Sequence, residues 1–323
     1  ICIGTVSPHY AIKYGFESTA LEEVQQIWEN KLQKVFPYLL ETPKKDVPVY
    51  QHASTVKLTS SVKIAKPRVL IPVFPGTNCE YDTARAFRRA GALPEIFVIR
   101  NLTASDIEES VTAFAQKVQQ SQIVALQGGF SGGDEPDGSG KFITAFLRNP
   151  SIRDAVHELL KNRDGLMCGI CNGFQALIKL GLVPYGEIRD MDETCATLTF
   201  NTIGRHQSML VRTRVASNKS PWLMNTKPGD IHTIAVSHGE GRFVAPQPLI
   251  DQLAAGGQIA TQYVDLDGAP TLDIRWNPNH SMDAIEGITS PDGRVFGKMG
   301  HSERYAKGLY QNVEGSKFQD LFG

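Results

Sequence analysis

The sequence predicts an α/β fold: a mostly parallel sheet with helices on both faces, plus antiparallel hairpin additions. Three observations carry this. From Pro67 onward, short apolar runs alternate with helix-patterned segments, as parallel strands joined by crossover helices do. One apolar run, residues 165–170, passes straight into a helical stretch with a cysteine at the junction. After Thr194 the pattern changes to short strands separated by turn dipeptides such as Asp267-Gly268 and Asp292-Gly293, which mark hairpins at a sheet edge.

In chain order, residues 18–35 read as a helix, with Ser18 as cap, an apolar stripe of Leu21, Val24, Ile27, Trp28 and Leu32, and Pro37 as stop. Residues 41–66 are rich in Pro, Lys, Ser and Thr without a sustained period. They read as a linker or an extended surface arm. The compact part then begins with a buried strand at 68–74, a helix at 81–90 and a strand at 94–99. A helix at 105–120, a strand at 121–126, one helix at 142–160 and the strand at 165–170 follow. The expected division is therefore 1–40, a linker at 41–66, and a main domain at 67–323.

Composition bounds the function. Lys plus Arg number 33 against 34 Asp plus Glu, a formal net charge of -1. That argues against a general nucleic-acid binder or an anionic membrane as partner. No apolar run approaches the roughly 20 residues that span a bilayer, and residues 1–10 lack a basic segment followed by an apolar one. Five cysteines, Cys2, Cys79, Cys168, Cys171 and Cys195, do not suggest a disulfide framework. A reducing, cytoplasmic setting is the expectation, and it keeps a reactive thiol available.

That thiol is Cys171. It stands in Gly169-Ile-Cys-Asn-Gly173, where a strand turns into a helix, the architecture of a nucleophile elbow. Gly169 and Gly173 let the two elements approach. A thiol at a helix N-terminus is pulled toward thiolate, and the N–H of Asn172 in the first turn can face an oxyanion. Cys168, inside the apolar strand, reads as an inert buried residue.

A cysteine hydrolase needs a base. Near the C-terminus, His301 and Glu303 follow the strand-like run 294–299. Residues two apart on an extended segment share a side, so Glu303 can hold one imidazole nitrogen and leave the other for the thiol. The strand at 121–126 leads into Gln127-Gly-Gly-Phe-Ser-Gly-Gly-Asp134, glycines at the end of a parallel strand where ligands bind. Backbone N–H groups of Gly129 or Phe130 would complete an oxyanion hole. A phosphate loop does not fit, because Glu135 replaces the required glycine and Phe142 the hydroxyl residue. The stretch 235–242, Ala-Val-Ser-His-Gly-Glu-Gly-Arg, offers backbone donors and acceptors to an amino-acid substrate.

Together, Gly169-x-Cys171-x-Gly173-x-Gln175, Ser237-His-Gly239 and His301-x-Glu303 resemble the signatures of the class I glutamine amidotransferases, whose glutaminase fold is flavodoxin-like. Finer matches at 74–80, 128–134, 277–279 and 299–304 make residues 67–323 similar to the glutaminase part of the phosphoribosylformylglycinamidine synthase family. The resemblance implies catalysis by Cys171, His301 and Glu303, an oxyanion hole near Gly129 and Asn172, and glutamine held by Gln175 and the backbone of Ser237, His238, Gly239 and Glu240, with Asn201 and Arg205 nearby. It implies L-glutamine as substrate and no cofactor or metal on this chain. Ammonia would pass to a synthetase region using ATP and Mg2+ and normally in the same polypeptide, of which residues 1–40 would be a helical tail. The family often has proline where this chain has Gly300 and Ser302, a change expected to loosen the strand end while sparing both functional side chains.

Three rival readings stay open on the residues alone. One is a peptidase or deglycase-like hydrolase with the same elbow. Another is a redox pair Cys168-x-x-Cys171. The third is a glutaminase silent until its synthetase docks.

Overall fold

The computed structural model describes residues 2–56, 64–134 and 139–323. Residues 57–63 of the expected linker and Glu135 of the glycine-rich loop lie outside the described residues.

Two units separate, Ile1–Thr42 and Pro43–Gly323. The first holds a hairpin, β1 (Ala11–Tyr14) and β2 (Glu17–Ala20), followed by helix α1 (Leu21–Asn30). The helix expected over 18–35 is therefore shorter at both ends. Ser18 pairs with Lys13 in the hairpin instead of capping the helix. No residue of α1 is buried within the described structure. The stretch expected as a linker also divides. Residues from Pro43 belong to the larger unit, where Tyr50 donates to Asp283 at 2.7 Å and Gln262 Nε2 donates to the Pro48 carbonyl at 2.8 Å.

The larger unit is built, among the described residues, on a nine-stranded sheet. In chain order its elements are β3 (Arg68–Val73), α2 (Glu80–Arg89), β4 (Leu93–Val98), α3 (Ala104–Gln120), β5 (Ile123–Leu126), α4 (Lys141–Leu147), α5 (Pro150–Lys161), β6 (Leu166–Ile170), α6 (Asn172–Leu180) and the short turn α7 (Leu182–Tyr185). Then come β7 (Thr197–Phe200), β8 (Gln207–Val215), β9 (Ile231–His238), β10 (Glu240–Val244), α8 (Gln247–Ala255), β11 (Ile259–Val264), β12 (Ile285–Thr289) and β13 (Val295–Lys298). The main sheet runs β4-β3-β5-β6-β13-β12-β11-β8-β9. Strands β4, β3, β5, β6 and β13 are parallel, and the remainder continue antiparallel. The Asp292-Gly293 turn does close a hairpin, between β12 and β13. The Asp267-Gly268 turn only folds the chain back to a single bridge, Val264 with Pro270. A separate pair, β7 with β10, stands beside the sheet.

The helix expected over 142–160 is two. Pro150 cannot donate the N–H a helix interior requires, so the chain restarts there, with Asn149 accepting from Ser151 N as the new cap. Strand residues alternate between two apolar clusters on opposite faces of the sheet. Met167 packs with Phe114, Leu159 and Phe174 on one face, while Cys168 packs with Val69, Ala125 and Phe296 on the other. The parallel strands aim their C-terminal ends one way, and the loops that leave β3, β5, β6 and β13 bring residues to one place.

Candidate active site

Cys171 closes β6 and opens α6. Its backbone sits at φ 53 and ψ -107, a conformation costly for a residue with a side chain and found where a site is held under strain. The glycines around it explain how the bend is possible. A Cβ on Gly169 would lie 2.6 Å from the Gly173 backbone, and one on Gly173 would lie 2.1 Å from the Leu126 carbonyl oxygen. Cys171 is 4% exposed. Its N–H donates to the Lys298 carbonyl at 2.9 Å, and its thiol points to the Ser237 carbonyl at 3.7 Å.

His301 and Glu303 reach the same place from β13, which pairs directly with β6. They do not sit on an extended segment. His301 precedes a 3-10 turn, Ser302–Arg304, and that turn folds Glu303 back beneath the ring. His301 Nδ1 lies 2.6 Å from Glu303 Oε1, which leaves Nε2 for the thiol. Burial alone would lower the pKa of His301, but the Glu303 carboxylate and hydrogen bonds with Cys171, Cys79 and Glu303 hold it well above the ordinary value. Burial alone would raise Glu303, but the His301 charge and hydrogen bond keep it below the carboxylate norm. An imidazole kept protonated beside the nucleophile has a proton to give to a leaving nitrogen.

Gly128 lies between these groups. A Cβ there would be 2.6 Å from His301 Cε1, 3.3 Å from Cys79 Sγ and 3.4 Å from Cys171 Cβ. The next residue, Gly129, forms a bridge with Thr77 at φ 131. Among the described residues none accepts from its N–H. Phe130 corrects the expectation: its N–H donates to the Gly76 carbonyl at 2.9 Å, so it is not available to an oxyanion. Asn172 is the first residue of α6, and its side chain accepts from Ser131 N at 3.2 Å.

The residues expected to hold glutamine are close by but largely committed to one another. Gln175 accepts from Asn172 Nδ2 at 2.9 Å and donates to the Glu240 carbonyl, so its amide ties α6 to β10. The carbonyls of Ser237, His238, Gly239 and Glu240 accept from Cys171 Sγ, Asn201 Nδ2, Asn201 N and Gln175 Nε2 respectively. Glu240 Oε2 accepts from Ser139 N at 2.8 Å. The His238 ring is buried, with its pKa pushed down to about 3 by burial and the His301 and His206 charges. Asn201 keeps one buried acceptor, Oδ1, without a partner among the described residues. Arg205 stands exposed beside it, its carbonyl bonded to Asn201 Nδ2 at 3.1 Å.

Several neighbours were not foreseen. His206 Nε2 lies 2.8 Å from Ser237 Oγ, and its ring stacks at 6.0 Å on the half-exposed Phe130. Cys79, at the start of α2, accepts from Arg304 Nη2 at 3.0 Å and lies 3.9 Å from His301 Nδ1. Nothing in the spacing of residue 79 from residues 301 and 304 announces this, because it is made by two separate loops at one sheet edge, one after β3 and one after β13. Ligand-type atoms of Cys79, His301 and Glu303 fall within 4.8 Å of one another. The arrangement suits a hydrogen-bonded pair better than a metal ion, since a cation there would face the Arg304 guanidinium and displace the Nδ1 proton. Gly300 and Ser302 do not loosen the strand end: Gly300 N donates to Glu286 Oε1 at 2.6 Å, and Ser302 Oγ donates to Gln319 Oε1 at 2.8 Å. Cys168 and Cys171 face opposite sides of the sheet, and burial pushes the Cys168 thiol upward. The redox pair therefore has no geometry.

Glu303→Gln keeps the shape of the acid and removes the charge that raises His301. We expect glutamine turnover to fall by about 10²–10³-fold, the scale of one general acid–base contribution. The pH limb belonging to the imidazole should move to lower pH, because the proton is released earlier. The pH dependence of Cys171 alkylation by iodoacetamide measures this, and an unmoved limb counts against the pairing.

A family model for the CobB/CobQ-like glutamine amidotransferase domain matches residues 66–322. The phosphoribosylformylglycinamidine synthase subunit PurQ of Methanococcus maripaludis is 34% identical over 239 residues, 74% of this chain and 82% of the relative. The subunit of the same description from Treponema denticola is 36% identical over 251 residues, 74% of this chain and 88% of that one. A chain in the solved structure of PurLQS from Thermotoga maritima superposes with a TM-score of 0.56 at 25% identity, covering 80% of this chain and 96% of that one.

Proposed function

Since the chain belongs to the CobB/CobQ-like glutamine amidotransferase family, we propose that it is the glutaminase component of a phosphoribosylformylglycinamidine synthase. It would hydrolyse L-glutamine at Cys171 and hand ammonia to an ATP- and Mg2+-dependent synthetase partner. That partner would convert formylglycinamide ribonucleotide to the amidine in purine biosynthesis. The single observation that supports this most is Cys171 held in a strained bend, with the buried His301–Glu303 pair brought from the adjacent strand to the same glycine, Gly128, that the Cys171 side chain approaches. The names of the relatives supply the substrate and the partner.

The groups at hand suffice for the chemistry. Cys171 Sγ attacks the side-chain amide carbon of glutamine with the thiol's proton already held on His301. The resulting oxyanion lies against the N–H groups of Gly129 and the α6 N-terminus. His301 returns the proton to the nitrogen, the C–N bond breaks, and ammonia leaves a glutamyl thioester. Water, giving its proton to His301, attacks the thioester; glutamate departs and the thiol is restored. Glu303 holds the imidazole and balances its charge throughout. Asn201 Oδ1, buried and unpartnered among the described residues, is suited to accept from the substrate ammonium.

The test is turnover of the purified chain with and without a phosphoribosylformylglycinamidine synthetase partner. Expected are ammonia and glutamate from glutamine, and amidine from glutamine only when the partner, ATP and Mg2+ are present. Cleavage of peptides or of glycated amines in place of glutamine would move the chain to another class of cysteine hydrolase.

A further inference from the structure

We propose that Lys298 and Glu286, a buried ion pair on the neighbouring strands β13 and β12, are the positioning residues that aim His301 at Cys171. This deepens the glutaminase reading and rests on it.

Both side chains are wholly buried, with Lys298 Nζ 3.8 Å from Glu286 Oε1. Burying two charges is expensive, and a pair of apolar residues would close the β12–β13 hairpin at least as well. Stability alone therefore gives little reason for these residues. What the two charges touch gives a better one. Glu286 Oε1 accepts the N–H of Gly300 at 2.6 Å, and its Oε2 accepts from Thr261 Oγ1 at 2.5 Å. Lys298 Nζ donates to Ser302 Oγ at 2.9 Å and to Gln319 Oε1 at 2.7 Å. The carboxylate thus holds the residue before His301, and the ammonium holds the residue after it.

The remaining freedom of that turn is removed from the other side, where His301 N–H donates to the Ala235 carbonyl at 2.9 Å. Lys298 also reaches the nucleophile, since its own carbonyl accepts the Cys171 N–H. One residue thereby fixes the backbone of the thiol and the flank of the base. Charged hydrogen bonds are shorter and stiffer than neutral ones, which suits a short segment with glycine at position 300. Among the described residues the polar partners of the two side chains are each other, Thr261, Gly300, Ser302 and Gln319, so both act on the imidazole through residues 300–302.

Lys298→Met, the double variant K298M/E286Q, and Ser302→Ala test this in the chain assembled with its synthetase partner. Cys171 is counted by stoichiometric labelling with an electrophilic glutamine analogue, which only a folded glutamine site takes up, so that kcat is expressed per intact site and partial unfolding cannot imitate the effect. For both Lys298 variants we expect kcat per titrated site to drop by ~10²-fold, the scale of a 1 Å misplacement, with KM for glutamine within about 2-fold of wild type because the glutamine contacts are untouched. K298M alone leaves a buried carboxylate unpaired and should unfold at lower temperature; the double variant removes both charges and should unfold near wild type. Ser302→Ala deletes one hydroxyl and keeps the ion pair, so it folds even if the others do not, and should lose about 5–10-fold in kcat, the worth of one hydrogen bond. Wild-type kcat per site in Ser302→Ala, or in a folded double variant, overturns the proposal. Failure of the wild-type assembly to release ammonia from glutamine would instead strike the glutaminase reading itself.

Discussion

Cys171→Ala is expected to reduce ammonia release from glutamine by at least about 10⁴-fold, the loss that follows when a covalent nucleophile is removed and only the polarising groups remain. The fold should tolerate the change. Alanine keeps the Cβ, so the strain of the bend at φ 53 is the same for both residues, and the hydrogen bond it gives up, to the Ser237 carbonyl, is a long one. The variant should also keep amidine synthesis from added ammonium salts when assembled with the synthetase partner, because only the nitrogen source is lost. Glutamine turnover and ammonia-driven synthesis, measured on one preparation, separate the two activities. Loss of both would mean that the residue holds the assembly together; loss of neither would remove Cys171 from the chemistry.

The parts of this site that the sequence disclosed are those whose geometry is local. Gly169 and Gly173 flank Cys171 because strand and helix meet there within 3 Å of any added Cβ, and such closeness leaves a spacing that can be read along the chain. His301 and Glu303 were legible for a similar reason, although a 3-10 turn and not an extended strand brings them together. What escaped detection was the traffic between distant segments. Phe130 looked like an oxyanion donor until its N–H was found on Gly76, 54 residues earlier. Gln175 looked like a substrate contact, yet its amide joins Asn172 to Glu240. Lys298 and Glu286 look in sequence like ordinary strand residues, and only the closing of β12 on β13 turns them into a buried pair. The break at Asn149-Pro150 is a local signal too: proline lacks the N–H that a helix interior needs, and the buried stripes on its two sides, Ile143, Phe146 and Leu147 against Ile152, Val156 and Leu159, do not share one phase.

Gly128→Ala gives the most direct test of whether the imagined chemistry needs this particular packing. Gly128 does not lie in the left-handed region of backbone space, so alanine meets no conformational penalty there. Its effect is purely steric. The new methyl would stand 2.6 Å from His301 Cε1, closer than carbon atoms can approach. The ring cannot yield by rotating freely, since Glu303 holds it at Nδ1 and the backbone is pinned to Ala235. On the far side of the methyl, Cys171 Cβ at 3.4 Å belongs to a strained turn with no slack. The imidazole must therefore shift by several tenths of an ångström to one ångström, away from the thiol. The expected cost to folding is about 1–3 kcal/mol, the ordinary penalty of overpacking, whereas turnover should fall ~10²-fold or more because base and nucleophile no longer meet. Thermal unfolding, iodoacetamide reactivity of Cys171 and glutamine turnover should be read together. A variant that unfolds almost normally, reacts sluggishly at Cys171 and barely releases ammonia places the imidazole beside Gly128 in the working enzyme. Full turnover from the same variant would show that catalysis does not use His301 where the fold now holds it.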